Sequence, residues 1–340
     1  MTDVALDPTK RGYWTSDQEV RWCPGCGDYG ILAAMQFLYT ELDDVKKENT
    51  VFVSGIGCAA RFPYYMSTYG MHSIHGRAPA IATGLAVARP DLDVWVVGGD
   101  GDMLSIGGNH LIHALRRNVN IKILLFNNQI YGLTKGQYSP TSEVGKVTKS
   151  TPMGSIDAPF SPVSLAAGAG ATFVARTHDL DRKHMIDVFR RAHEHKGAAL
   201  VEIYQNCNVF NDGAFDAITK RDARAEMMID LVHGEPIKFG AERQRGVMMD
   251  NGAARCVDIA DVGEDALLVH DEHTTNPSVT FSLGQLAMDR RSPTPFGVFR
   301  AVDAPEYAAA VGDQLLAAND QKGPGNLEAL LRSGATWDVV

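Results

Sequence analysis

Two apolar runs constrain this chain more than any other feature: DVWVVGGDGD, Asp93 to Asp102, and NIKILLFNN, Asn120 to Asn128. Each is a continuous apolar stretch of strand length stopped by small or polar residues, as expected of a strand buried on both faces. Between them MLSIGGNHLIHALRRN, Met103 to Asn118, sets Ile106, Leu111, Ile112 and Leu115 at helical intervals, with Arg116 and Arg117 in the last turn. The order is strand, Gly-Asp-Gly, helix, strand, Asn-Asn. In a right-handed parallel crossover both polar tips leave the sheet at one edge, the usual place for a site in an open α/β fold. That geometry pairs Asp100 with Asn128.

An isolated Gly-Asp-Gly is most often only a turn, but the spacing and strand context here argue for a site. Magnesium takes hard oxygen ligands and shares them with phosphates and water. Asp100 offers a carboxylate oxygen, Asn128 an amide oxygen and Ile130 its carbonyl. Gly99 and Gly101 permit a tight turn and close approach of a pyrophosphate, helped by N–H groups at the following helix terminus. His75, in SIHGRAP, is a candidate for orienting substrate or diphosphate, with Arg77 beside it. His110 and His113 read as ordinary residues of their helix.

Cysteines stand at 23, 26, 58, 207 and 256, too few and too scattered for a secreted disulfide scaffold. Cys23 and Cys26 lie on a loop leading into the helix DYGILAAMQFLYTEL, Asp28 to Leu42, for which Asp28 is the expected cap. Cys58 follows the strand of VFVSGIGC, and Cys207 ends AALVEIYQNC. Gaps of 31 residues between Cys26 and Cys58 and 148 between Cys58 and Cys207 leave four-thiolate zinc and an iron-sulfur cluster both open. Cys256 has no nearby mate and reads as a packed small side chain.

The 340 residues are 45% hydrophobic with a formal net charge of −9, which fits a soluble globular protein and argues against nucleic acid as a partner. The start, MTDVALDPTKRG, has no leader pattern, and no apolar run approaches the roughly 18 residues of a membrane span. A cytoplasmic location is expected. The first twenty residues read as an extended arm, and HGRAPAIATGLAVARP supplies a crossover helix packed through Ile81, Leu85 and Val87. Gln137 to Pro162, rich in Gly, Pro, Ser and Thr, is either a cofactor-covering loop or a linker. A further α/β unit spans 172–207, and a helical turn is expected over 278–290.

Together WCPGCG, GIGC, SIHGRAP, GGDGD with its later NN, IYGLTKGQYSPTS and EIYQNCNVFND resemble the beta subunits of the 2-oxoacid:ferredoxin oxidoreductases. The Gly-Asp-Gly and Asn-Asn pair by itself resembles the thiamine-diphosphate-binding motif. The resemblance implies a thiamine-diphosphate-binding α/β fold with a mostly parallel central sheet flanked by helices. It implies that Asp100, Asn128 and the Ile130 carbonyl hold magnesium and the cofactor diphosphate, and that the turn Ile56, Gly57, Cys58 lies near thiamine. One [4Fe-4S] cluster would sit on Cys23, Cys26, Cys58 and Cys207. Residues 1–27 would then be an arm with a cluster-binding loop, 28–210 the cofactor domain, and 211–340 an extension packing on the core or on a partner.

The implied activity is coenzyme-A-dependent oxidative decarboxylation of a 2-oxoacid, with electrons passing through the cluster to ferredoxin. An alpha subunit, in an alpha2beta2 assembly, would supply the activating glutamate and much of the pocket. The chain looks most like the compact two-subunit branch, which favours 2-oxoglutarate, giving succinyl-CoA and CO2, over pyruvate. A non-oxidative thiamine decarboxylase or carboligase would leave the four cysteines without a shared use. A zinc-bound nucleotide- or partner-binding scaffold would leave the pyrophosphate pattern without one.

Overall fold

The structure, a computed structural model, describes residues 7–288 and 292–339. The first six residues of the expected arm and the last two positions of the 278–290 helix lie outside them. The strands are β1 Thr50–Ser54, β2 Tyr69–His72, β3 Asp93–Gly99, β4 Lys122–Asn127, β5 Phe173–His178, β6 Ala199–Tyr204, β7 Met228–Leu231, β8 Lys238–Phe239, β9 Arg245–Asp250, β10 Ala253–Asp258 and β11 Thr294–Ala301. Eight of them form one sheet in the order β2-β1-β3-β4-β6-β5-β11-β7. Every neighbouring pair is parallel except β11 against β5.

Side chains alternate between two cores along each central strand, which is why these segments read as continuous apolar runs. Val94, Val96, Ile123, Leu125 and Leu200 face one core with Leu111, Leu115 and Val163. Trp95, Val97, Leu124, Phe126, Val201 and Ile203 face the other, with Ile31, Met35, Met185 and Phe189. The second core is capped by the helices Asp28–Leu38 and Arg182–Glu194, giving a helix–sheet–helix sandwich. The sheet class is therefore as the sequence implied.

Four local expectations change. Asp28 does not cap its helix: Gly27 holds that position, and Asp28 is the first helical residue with its carboxylate buried. The Met103–Asn118 run is not one helix but two pieces, Asp100–Leu104 and Gly108–Arg116. The break is where two turns meet, since a Cβ on Gly76 would lie 2.5 Å from the Gly107 nitrogen. It leaves Ile106 51% exposed instead of on the sheet. The crossover helix Ala78–Ala88 buries the alanines Ala78, Ala82 and Ala86, with Ile81 and Leu85 only half-buried against the core. Finally, the segment after residue 210 is more than a layer laid on the core: β11 and β7 complete the main sheet, while β8, β9 and β10 form a small antiparallel sheet of their own.

Candidate functional site

β3 and β4 are direct neighbours, with Gly99 opposite Phe126, so the Gly-Asp-Gly and Asn-Asn tips emerge side by side. Tyr131 closes them together: its hydroxyl donates to the Gly101 carbonyl at 3.0 Å. A Cβ on Gly101 would lie 2.2 Å from the Tyr131 ring, so only glycine fits that turn. Beyond β4 the backbone turns sharply, with Gln129 at φ +56° and the Ile130 N–H donating to Asn128 Oδ1 at 3.1 Å. The helix after Asp100 is only five residues long, so the turn itself, and not a helix dipole, shapes this corner.

Asp100 is 1% exposed, and its Oδ2 accepts from the hydroxyls of Ser139 and Thr141, each at 2.5 Å. Burial pushes this carboxyl up to about 6, against the pull of those two hydrogen bonds. Thr141 Oγ1 also lies 2.8 Å from Asn127 Oδ1, so its one proton is shared between the two acceptors, and Asn127 Nδ2 donates to Glu202 Oε1 at 2.7 Å. Glu202 in turn receives Arg176 Nε at 2.7 Å, both side chains being fully buried. Across the tips Asp100 is thus linked to Asn127 through Thr141, while Asn128 donates to Gln205 Oε1 at 2.9 Å.

A cavity of about 560 Å³ opens beside these turns, a size that suits a small cofactor. Ile56, Gly57, Cys58, His75, Gly99, Gly101 and Asn128 line it, so most of the expected cofactor residues share one space. Asp102, Tyr131 and Gln137 line it as well. Asp102 Oδ1 gathers three partners: His75 Nδ1 at 2.6 Å, the Gly76 N–H at 2.7 Å and the Ile56 N–H at 3.1 Å. One buried carboxylate therefore ties the His75 turn to the Ile56–Cys58 turn. Arg77 is not drawn in; its guanidinium donates to the His75 carbonyl at 3.0 Å and braces the turn from behind. Asp100 and Ile130 lie buried behind the lining.

The four cysteines come from three segments, the Cys23–Cys26 loop and the turns after β1 and β6, onto the same side. A Cβ on Gly132 would sit 3.5 Å from Cys207 Sγ and 3.6 Å from Cys58 Sγ, so both sulfurs crowd one glycine. The indole of Trp22 donates to the Cys58 carbonyl at 2.7 Å, and Gln205 Nε2 reaches Cys26 Sγ at 3.3 Å. Burial pushes the Cys58 thiol up to about 12, with the charges of Asp28, Cys207 and Cys23 adding to it. Cys26 is raised for the same first reason, and then by Asp28. Cys256 is elsewhere, on β10, half-buried against the first core.

Sequence reasoning missed Asp102, Ser139, Thr141, Glu202 and Arg176. Only Asp102 left a signal, as the second acid of GGDGD. The others act across 26 to 75 residues of sequence, and no spacing rule reaches them.

Residues 55–203 match the family model described as "Thiamine pyrophosphate enzyme, C-terminal TPP binding domain", in keeping with the class that fold and cavity define, the thiamine-diphosphate-binding enzymes. Among the relatives, the 2-oxoglutarate oxidoreductase subunit KorB of Mycobacterium tuberculosis is 58% identical over 98% of this chain and 89% of its own. The beta subunit of a 2-oxoacid:ferredoxin oxidoreductase of Aeropyrum pernix is 47% identical over 56% of this chain and 60% of its own. A solved 2-oxoglutarate:ferredoxin oxidoreductase from Magnetococcus marinus, with 2-oxoglutarate, coenzyme A and succinyl-CoA bound, aligns with a TM-score of 0.73 and 32% identity, covering 95% of this chain and 94% of that one. The chain belongs to the beta subunits of the 2-oxoacid:ferredoxin oxidoreductases, in their 2-oxoglutarate branch.

Proposed function

We propose that the chain is the thiamine- and cluster-bearing subunit of a coenzyme-A-dependent 2-oxoglutarate:ferredoxin oxidoreductase, forming succinyl-CoA and CO2. The observation that carries this reading is one cavity with two kinds of wall: the turns Gly99, Gly101 and Asn128 on one side, Cys58 on the other. A carbanion-stabilising cofactor held at the first wall lies next to the thiols at the second. Both donor sets fit their groups. The Gly101 turn lines the cavity and packs so closely on the Tyr131 ring that no side chain fits there, and Asp100 stands behind it with its orientation set by two hydroxyls. Asp100, Asn128 and the Ile130 carbonyl would hold magnesium, whose charge would offset a carboxylate that burial otherwise disfavours.

On the thiol side, burial first and the charge of Asp28 next push the Cys26 and Cys58 thiols up. Four converging thiol side chains suit a metal centre that supplies positive charge. Cys23, Cys26, Cys58 and Cys207 would hold one [4Fe-4S] cluster. Bound thiamine diphosphate supplies the nucleophilic carbon and electron sink of the decarboxylation. This chain's own groups bind and orient: Asp102 fixes His75 through Nδ1, so that Nε2 is the ring nitrogen left to face the cavity. Arg77 steadies that turn without touching the cavity.

Among the described residues lining the cavity there is no glutamate; an alpha subunit, in an alpha2beta2 assembly, is the proposed source of the activating one. Ferredoxin is the proposed electron acceptor and the cytoplasm the proposed compartment. Among the described residues no helix is long and apolar enough to cross a membrane. The test is an anaerobic assay of the assembled complex with thiamine diphosphate, magnesium, coenzyme A and ferredoxin, comparing initial ferredoxin reduction for 2-oxoglutarate, pyruvate and branched 2-oxoacids. A higher kcat/KM for 2-oxoglutarate is expected. Preference for pyruvate overturns the substrate, and turnover without ferredoxin reduction overturns the redox reading.

A further inference from the structure

A second donor cluster lies at the opposite edge of the main sheet. β11 runs antiparallel to β5, so its last residue, Ala301, pairs with Phe173 at the start of β5, away from the edge that carries the cavity. β7 is parallel to β11 and runs toward that same far edge, its last residue Leu231 pairing with Gly297. Two loops are laced together there. Gly234 N–H donates to the His270 carbonyl at 2.8 Å, His270 N–H to the Glu235 carbonyl at 2.9 Å, and Ile237 N–H to the Leu268 carbonyl at 2.9 Å. Ala301 N–H donates to the Glu272 carbonyl at 2.7 Å, which fixes the second loop to β11.

This lacing sets His233, Glu272 and His273 so that one possible ligand atom from each lies within 4.8 Å of the other two. His273 Nδ1 is 2.7 Å from the Ala301 carbonyl oxygen. A carbonyl only accepts, so Nδ1 carries the proton and Nε2 keeps its lone pair, 3.5 Å from Glu272 Oε1. That is the tautomer and support that a metal-binding imidazole needs. Glu272 is buried and oriented by Arg191, whose Nη2 donates to Oε1 at 2.7 Å. The His233 ring lies 4.7 Å from the His273 ring, with Asp271 Oδ1 3.7 Å from His233 Nδ1. Two imidazoles and a carboxylate are a borderline donor set, suited to zinc-type ions rather than to magnesium or calcium.

We propose that His233, Glu272 and His273 form a binding site for one zinc-type divalent cation at the sheet edge remote from the thiamine cavity. Bound there, the ion adds a second tie between the loop after β7 and the loop that precedes the helix Ser278–Leu286, which backbone hydrogen bonds already lace together. Three protein ligands leave a fourth tetrahedral position for water. The site does not depend on the cofactor reading and is tested apart from it.

The experiment uses the assembled, cluster-loaded complex, stripped of loosely held metal and dialysed anaerobically against Zn2+ or Co2+, for the parent and for His233→Ala/His273→Ala. Both histidines are exposed, and the single variant His233→Gln serves as a gentler second probe. The parent is expected to retain about one more equivalent of zinc than the double variant, and to bind it at least about tenfold more tightly than His233→Gln. Zinc should raise the Tm of the parent and not of the double variant, because the ion binds the folded state. Cobalt should give a visible spectrum of nitrogen and oxygen ligation. Equal zinc content and equal Tm response in parent and double variant, or cobalt bound only with thiolate character, overturns the proposal.

Discussion

Two buried aspartates, 72 positions apart, show how differently the two halves of the site are built. Asp100 and Asp28 are each 1% exposed, and burial raises both carboxyls, to about 6 and about 7. Asp100 is met by two hydroxyls and heads a buried chain running through Thr141, Asn127 and Glu202 to Arg176. Asp28 has no nitrogen or oxygen donor on either carboxylate oxygen and lies beside the Cys26 thiol. A satisfied carboxylate is pre-oriented for a fixed cation. An unsatisfied one acts mainly through its field on whatever occupies the thiols. The cofactor half is a rigid mount, and the cysteine half is electrostatically poised.

That contrast breaks most sharply at Asp100 and Cys58. Asp100→Ala is expected to weaken magnesium-dependent thiamine-diphosphate binding by more than about 100-fold, since it removes a ligand where even supporting contacts are worth 10- to 100-fold. Iron content should be unchanged; calorimetry and iron analysis check the two halves separately, and unchanged cofactor affinity in the folded variant defeats the assignment. Cys58→Ser should do the reverse: about four iron atoms per chain fall to near none, while thiamine binding persists. Joint loss of both groups would show that the halves are one unit.

Subtler substitutions sharpen the comparison. Thr141→Val removes the one hydroxyl proton that Asp100 Oδ2 and Asn127 Oδ1 share, and should weaken magnesium binding by about tenfold with the cluster untouched. Asp28→Asn removes a negative charge beside Cys26 and should raise the reduction potential of the cluster, measured by anaerobic redox titration, without changing iron stoichiometry. An unmoved potential would mean that Asp28 is held neutral.

The smallest effect concerns Asp179, whose Oδ2 accepts from the Asn206 N–H at 2.7 Å and against which Gly27 packs so closely that a Cβ there would lie 1.8 Å away. Burial raises its carboxyl to about 6. The folded state therefore binds this proton more tightly than the unfolded chain does, so its contribution to stability is present below about pH 4 and is lost as pH rises through about 6. Asp179→Asn, which keeps an acceptor for Asn206, should flatten that part of the Tm–pH curve by a few degrees at most. A steeper curve in the variant would reverse the sign.

The sequence by itself determined the parallel sheet, the two polar tips and the edge they share. Those follow from local facts: apolar runs of strand length, glycine and asparagine stops, and a crossover whose hand is set by backbone chirality. The placement of Cys58 and Cys207 just beyond strand ends was legible for the same reason. What neighbours each side chain was decided only by the tertiary structure. Ser139 and Thr141 reach Asp100 because a long loop folds back over the tips, and His75 meets Asp102 because two glycine turns press together. Arg77 turned to its own loop, Asp28 went under the thiols instead of capping, and β11 and β7 entered the sheet from the far end of the chain. Periodicity along a segment reports which face of it is buried, whereas the partner on that face depends on how distant segments close and pack, and no local pattern encodes that choice.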